Sequence, residues 1–459
     1  MNVRQAFHAS CALLPDGWAN DVVVTITGGE ITEVVANQPD SRALRLSGPL
    51  LPGMANLHSH AFQRAMAGLT ETSGPQGDSF WAWRELMYRF LERLTPEHIE
   101  TIAAWLYAEM LESGYTSVAE FHYLHHDAAG RPYADPAENA LRIQRAATGA
   151  GIGLTLLPVL YSHANFGGMA PTPGQKRFIL QTDAYVSLCQ KLKKSLPDDA
   201  RVRLGVAPHS LRAVRPEQLS AVRALACELG PSTPIHMHIA EQEKEVEDSI
   251  RATGKPPMRW LVDEFGLSPR WCLIHATHLE PDEVDSLAQS GAVAGLCPST
   301  EGDLGDGFFK GVGYLQAGGR FGIGGDSHAL VDPFMELRLF EYGQRLVHRR
   351  RNLLTSRLGE SLGGRLYRAA LAGGAQALAQ PIGAIAPGYR ADLVVLDHNA
   401  ASLAGKRGDL ILDAAVFGPT QRLVRDVMVA GQWQVREGRH EAHELLKRNY
   451  QSTLMELLA

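Results

Sequence analysis

A chain of 459 residues accommodates one large domain with an appendage, or two to three ordinary domains. Hydrophobic residues make up 45% and charged residues 20%, with a formal net charge of −6. That balance gives no reason to expect nucleic acid or an anionic membrane surface as a partner.

No apolar run reaches the roughly 18 residues that a membrane-spanning helix needs. The stretch Met1-Asn2-Val3-Arg4-Gln5 lacks the charged-then-apolar layout of a signal peptide. Five scattered cysteines (Cys11, Cys189, Cys227, Cys272, Cys297) form neither a CxxC pair nor a disulfide framework, so a cytoplasmic location is expected.

In chain order, the first 50 residues read as β-structure. The β-branched runs Val22–Thr27 and Glu30–Val35 flank Gly28-Gly29, a strong hairpin signal. The texture then changes to short apolar runs alternating with longer amphipathic segments. Thr95 and Pro96 open a helix as N-cap and first helical residue, and Gly114 closes it. Short strands are predicted at Met54–His58, Ser117–Phe121, Leu154–Val159, Val202–Val206, Ile235–Ile239, Cys272–His275, Ala292–Leu296 and Phe321–Gly324.

The first and last of these lie roughly 270 residues apart, close to the length of about 250 typical of a (β/α)8 barrel. Further strands at Ala391–Asp397 and Val424–Gly431 match the texture of the first 50 residues. Neither end can bury a core alone, so the two are expected to pair. The expected fold is α/β: a (β/α)8 TIM-like barrel at 51–380, with a small β-sandwich built from 1–50 and 381–437. Residues 438–459 are expected to form a charged amphipathic helix. The run His348-Arg349-Arg350-Arg351 reads as a solvated helix end.

The polar residues that stand out fall at the C-terminal ends of these strands, the edge where barrel active sites are built. His58-Ser59-His60 places two imidazoles on one side of a strand, able to reach one ion. Taken alone the pattern is weak, since two ordinary histidines beside a loop produce it too. His236-Met237-His238-Ile239-Ala240-Glu241 offers a further imidazole, from either His236 or His238, and a carboxyl just past the strand end. His275 ends an apolar strand, and Asp326 in Gly324-Gly325-Asp326-Ser327-His328 closes the eighth. Singly, Asp326 reads as a helix N-cap. Together, ionisable groups at four strand ends are not what an apolar core would place there.

The order HxH, HxxE, His, Asp along an eight-strand pattern resembles the amidohydrolase superfamily, in particular its one-metal deaminase branch. Gly48-Pro49-Leu50-Leu51-Pro52-Gly53 and Pro387-Gly388-Tyr389-Arg390-Ala391-Asp392-Leu393 resemble the same group. The branch takes as third ligand the histidine three residues before the glutamate, which implies His238 rather than His236. It also lacks a lysine after the fourth strand, as here, where the strand runs into Pro208-His209-Ser210.

Asn56–Arg64, Glu120–His126, Ala207–Ala213 and Cys297–Glu301 resemble, more finely, the formimidoylglutamate deiminase family. One loop departs from it, with Gly302-Asp303 where the family has Ala-Asn. The resemblance implies one zinc ion per chain held by His58, His60, His238 and Asp326. It implies Glu241 as proton shuttle, His275 as the group orienting the attacking water, and Asp326 as acceptor of that water's proton. Gln63, Arg84, Tyr123, His209 and Arg212 would line the substrate pocket, two arginines suiting a dicarboxylate. A homodimer is expected from the same resemblance. Two other readings stay open: a one-metal deaminase of a nucleobase such as guanine or cytosine, which would give the arginines no partner, and a barrel that has lost its metal and serves as a scaffold.

Overall fold

The computed structural model describes residues 4–38, 42–72, 80–418 and 422–459. Eight parallel strands form a ring: Met54–Ser59, Tyr115–His122, Gly153–Leu160, Val202–Leu204 with Ala207–Pro208, Ile235–Ile239, Trp271–His275, Val293–Leu296 and Arg320–Ile323. Strands one to four pair in sequence order, as do five to eight. Single parallel bridges join the two arcs, Val206 with Ile235 and Ser59 with Asp326, so the barrel closes. Every residue of strands one, two, three, five and six is buried, as expected of apolar strands covered on both faces.

The helix Pro96–Ser113 starts and stops where its signals lie. Thr95 Oγ1 accepts from His98 N at 3.3 Å, and Gly114 ends the helix at φ 99°. Only a residue without a Cβ takes that left-handed conformation at little cost. The helix Pro333–His348 ends in the exposed basic run.

Strands from both ends of the chain make a second, nine-stranded sheet. Gly17–Thr27 and Glu30–Val35 pair antiparallel, with Thr27 opposite Glu30. Gly28 and Gly29 between them have φ of 63° and 87°, which a two-residue turn of the primed type needs at both positions. Leu50–Pro52 pairs with Arg4–Leu14 on one side and Leu393–Leu396 on the other, which is where the two ends of the chain meet. Phe7, Val22, Val24, Ile31, Leu393, Val395 and Met428 share a core of their own beneath this sheet.

Arg4–Leu14 is a full strand, in keeping with the β-structure expected of the first 50 residues. One feature departs from the sequence expectation. The final helix begins at His443, not at 438, because Glu437 and Gly438 turn the chain back at positive φ and Arg439–His440 adds a last short strand. Among the described residues, no helix is long and apolar enough to cross a membrane.

Candidate active site

The seam that closes the barrel also sets the site. Asp326 N donates to His58 O at 3.0 Å, and His60 N donates to Asp326 O at 3.1 Å. Pairing of the first and last strands therefore places three of the four expected metal ligands. The fourth comes from the fifth strand, where His238 N donates to His209 O at 3.0 Å.

His58 Nε2 lies 3.1 Å from His238 Nε2, and Asp326 Oδ1 is 3.3 Å from Nε2 of both His58 and His60. One ligand atom from each of these four buried residues lies within 4.8 Å of the others. The donor set fits a zinc-type ion. His60 Nδ1 is 3.0 Å from Phe121 O and His238 Nδ1 is 3.1 Å from His209 O. A carbonyl only accepts, so these Nδ1 atoms carry the protons and the Nε2 lone pairs face one another. Burial, reinforced by the neighbouring imidazoles, holds His58 and His238 well below the usual histidine range. They are thus neutral, as metal ligands must be. His236 belongs elsewhere: its Nε2 is 2.8 Å from Ala377 O.

Glu241 and His275 stand beside this quartet. His275 Nε2 is 3.9 Å from Glu241 Oε1 and 3.8 Å from Asp326 Oδ2. Burial pushes the Glu241 carboxyl above its ordinary range, against the pull of His275 and Arg212, which suits a group that must pick up and release a proton near neutrality. Ala240, His275, Ala276, Asp326 and His328 all have positive φ. That backbone conformation is uncommon for residues with a Cβ and is held here by the strand-end hydrogen bonds around it.

Gln63, Arg84, Tyr123, His209 and Arg212 all line one cavity together with His60, His238, Glu241 and Asp326. Gln63 Nε2 donates to Tyr123 OH at 3.1 Å. Arg212 is 5% exposed, so it is no surface charge. Its Nε is 3.9 Å from Glu245 Oε2, too far for a hydrogen bond, and is buried without a hydrogen-bond partner. A buried guanidinium with an unspent donor has capacity for a further acceptor besides Glu245. The Arg84 guanidinium sits 5.6 Å from the centre of the Tyr88 ring.

Trp83, Met87, Tyr88, Tyr161, Phe178 and Leu304 complete the wall, beyond the residues to which the sequence points. Met87 and Tyr88 follow Arg84 by three and four residues on the helix Phe80–Leu91, a spacing that shares a face and could have revealed them. Tyr161 directly follows the third barrel strand. Phe178 and Leu304 arrive from connecting segments and leave no sequence signal.

The Amidohydrolase family profile matches residues 50–434, and the profile described as Formimidoylglutamate deiminase HutF, N-terminal domain, matches residues 4–42. The chain is 55% identical over 454 residues to the formimidoylglutamate deiminase of Pseudomonas aeruginosa, covering 99% of each chain. A crystal structure of an amidohydrolase from Brucella melitensis shares the fold with a TM-score of 0.94 at 48% identity, over 99% of this chain and 100% of that one. An adenosine deaminase from Xanthomonas campestris with bound zinc has the same fold, with a TM-score of 0.82 at 22% identity over 99% and 98% of the two chains. The chain belongs to the amidohydrolase family, which is metal-dependent, and it is a hydrolase of carbon–nitrogen bonds other than peptide bonds. Within that family it belongs with the formimidoylglutamate deiminases.

Proposed function

We propose that the chain hydrolyses N-formimino-L-glutamate to N-formyl-L-glutamate and ammonia in histidine degradation. The observation that carries this reading is Arg212, a buried cation with an unspent donor in the same cavity as Glu241 and the His58–His60–His238–Asp326 quartet. A formimino-dicarboxylate supplies both a carbon–nitrogen double bond for hydrolysis and carboxylates for Arg212 and Arg84. A neutral nucleobase offers hydrogen-bond acceptors but no anionic group to balance the buried charge of Arg212.

His58, His60, His238 and Asp326 would hold one zinc ion per chain. When bound, such an ion supplies Lewis acidity and generates a nucleophile from water at neutral pH. The chain's own residues do the rest. Arg212 and Arg84 hold the carboxylates, with Gln63, Tyr123 and His209 completing the pocket, so that the formimidoyl carbon is presented to the attacking water. Asp326 takes the water's proton as the new carbon–oxygen bond forms. His275 orients the water and steadies the charge that develops at the tetrahedral carbon. Glu241 delivers a proton to the departing nitrogen, and the carbon–nitrogen bond breaks to release ammonia. The same reading makes the enzyme a cytoplasmic homodimer.

Ammonia release from N-formimino-L-glutamate, measured beside guanine and cytosine and alongside the metal content, tests the proposal. Turnover of the formimino compound alone is expected, with about one zinc ion per chain. Turnover of a nucleobase instead would assign the site to another substrate, and two tightly held ions would overturn the mechanism.

A further inference from the structure

Glu301 is not among the residues lining the substrate cavity, yet it is buried against the site. Its Oε1 is 3.3 Å from His275 Nδ1 and accepts from Cys297 N at 2.8 Å. The oxygen that meets the imidazole is thereby tied to the backbone at the end of the seventh strand. Glu301 N in turn donates to Cys297 O at 2.9 Å, closing the turn that presents the side chain.

His275 needs such a hold. It is fully buried and stands at φ 67°, followed by Ala276 at 51°, so its backbone exit differs from that of an ordinary strand residue. Its other ring nitrogen, Nε2, is buried without a hydrogen-bond partner and lies between Glu241 and Asp326. A carboxylate accepts from Nδ1–H, so that bond fixes both the ring plane and the position of one proton. It leaves Nε2 as the ring atom available to the reacting groups, the arrangement by which an acidic residue commonly orients a working histidine.

We propose that Glu301 is a positioning residue for deimination, acting through His275 Nδ1 to aim Nε2 at the reacting water. The proposal rests on the reading of the site given above. Its effect belongs to the transition state, since neither Glu301 nor its contacts reach the carboxylate-binding arginines. Without this hold the ring is free to turn about its Cβ–Cγ bond, and misplacement by about 1 Å can cost as much as 10²-fold in rate.

The test uses the zinc-loaded enzyme and two variants, Glu301→Ala and Glu301→Gln. Glu301→Ala is expected to lower kcat about 10²-fold and to leave KM within about threefold, with metal content retained. Proton NMR gives a readout independent of turnover. Wild type should show a far-downfield Nδ1 proton that is absent from His275→Asn, and the amide in Glu301→Gln, which preserves the shape, should shift it upfield. A wild type lacking that signal, a signal unmoved in Glu301→Gln, or near-normal kcat in metal-loaded Glu301→Ala would each overturn the assignment. If the signal behaves as expected while wild type ignores N-formimino-L-glutamate, the substrate reading fails and the His275–Glu301 pairing stands.

Discussion

Replacing His238 with alanine removes one of the three imidazoles of the ligand quartet, and bound metal should fall sharply. His236→Ala should instead keep the metal and cost about 1–3 kcal/mol, because it leaves the buried Ala377 carbonyl unpaired. Metal content and urea unfolding of the two variants separate these outcomes, and the reverse pattern would dismantle the ligand set. Arg212→Met keeps the bulk of the side chain and deletes its charge and donors. Losing one partner of a buried carboxylate pair costs about 2–5 kcal/mol, seen here as a higher KM together with a lower kcat, because the same contact fixes the reacting carbon. A substrate lacking one carboxylate should be poor for wild type, and the two substrates should converge for Arg212→Met. Simply additive losses for each carboxylate would show that Arg212 does not read the substrate. The sequence shows ionisable residues gathered at the ends of apolar strands, but it leaves His236 and His238 on equal footing, and the quartet is specified only by the resemblance to the one-metal deaminases. Glu301 and Phe178 are not legible there, since they reach the site from connecting segments whose placement depends on the assembled barrel.

At the scale of elements, the seam carrying His58, His60 and Asp326 is backed by the helix Leu362–Leu378 through close glycine contacts. A Cβ on Gly373 would overlap the Phe321 carbonyl on the eighth strand, and one on Gly374 would come within 2.9 Å of the Ala55 Cβ on the first. Gly373→Ala must therefore push the helix off the seam, an overpacking that costs about 1–3 kcal/mol in chemical unfolding. Gly149 makes the matched control. It lies in the helix Glu138–Ala150, where an added methyl would meet nothing within 4 Å, so Gly149→Ala should stabilise by about 0.4–1 kcal/mol. Equal effects of the two changes would mean that helix propensity, not the close approach, governs Gly373. Barrel strands such as Gly153–Leu160 and Trp271–His275 can be read because burial on both faces favours short apolar runs. Arg4–Leu14 falls within the stretch that reads as β-structure, but its bounds do not show, because Phe7, His8 and Ala9 are buried in succession and no two-residue alternation marks the strand, although its pairing with Gly17–Thr27 keeps one register throughout.

At the scale of the whole molecule, the terminal sheet is tied to the barrel by a buried ion pair in the stretch Pro387–Leu393. Arg390 Nε and Nη2 donate to the two Asp392 oxygens at 2.9 and 2.6 Å. The same guanidinium reaches Ser117 on the second barrel strand, Gln380, and Ala200 O at 3.2 Å. Asp392 Oδ1 accepts from Ala430 N at 3.0 Å in the terminal sheet, and Asp392 O accepts from Gly53 N at 3.0 Å where the chain enters the barrel. Arg390 and Asp392 are 4% and 1% exposed, so desolvation offsets much of their attraction and the intact pair contributes little net stability. Breaking it is another matter. Asp392→Asn keeps the shape but strands the Arg390 charge among buried carbonyls, at an expected cost of about 3–5 kcal/mol. Adding Arg390→Met removes the stranded charge and should recover part of that loss, so the double variant should be more stable than the sum of the single losses predicts. Urea unfolding of the four proteins supplies the cycle. A cost below about 1 kcal/mol for Asp392→Asn, or losses that simply add, would mean that sheet and barrel are held together by their apolar contact and not by this pair.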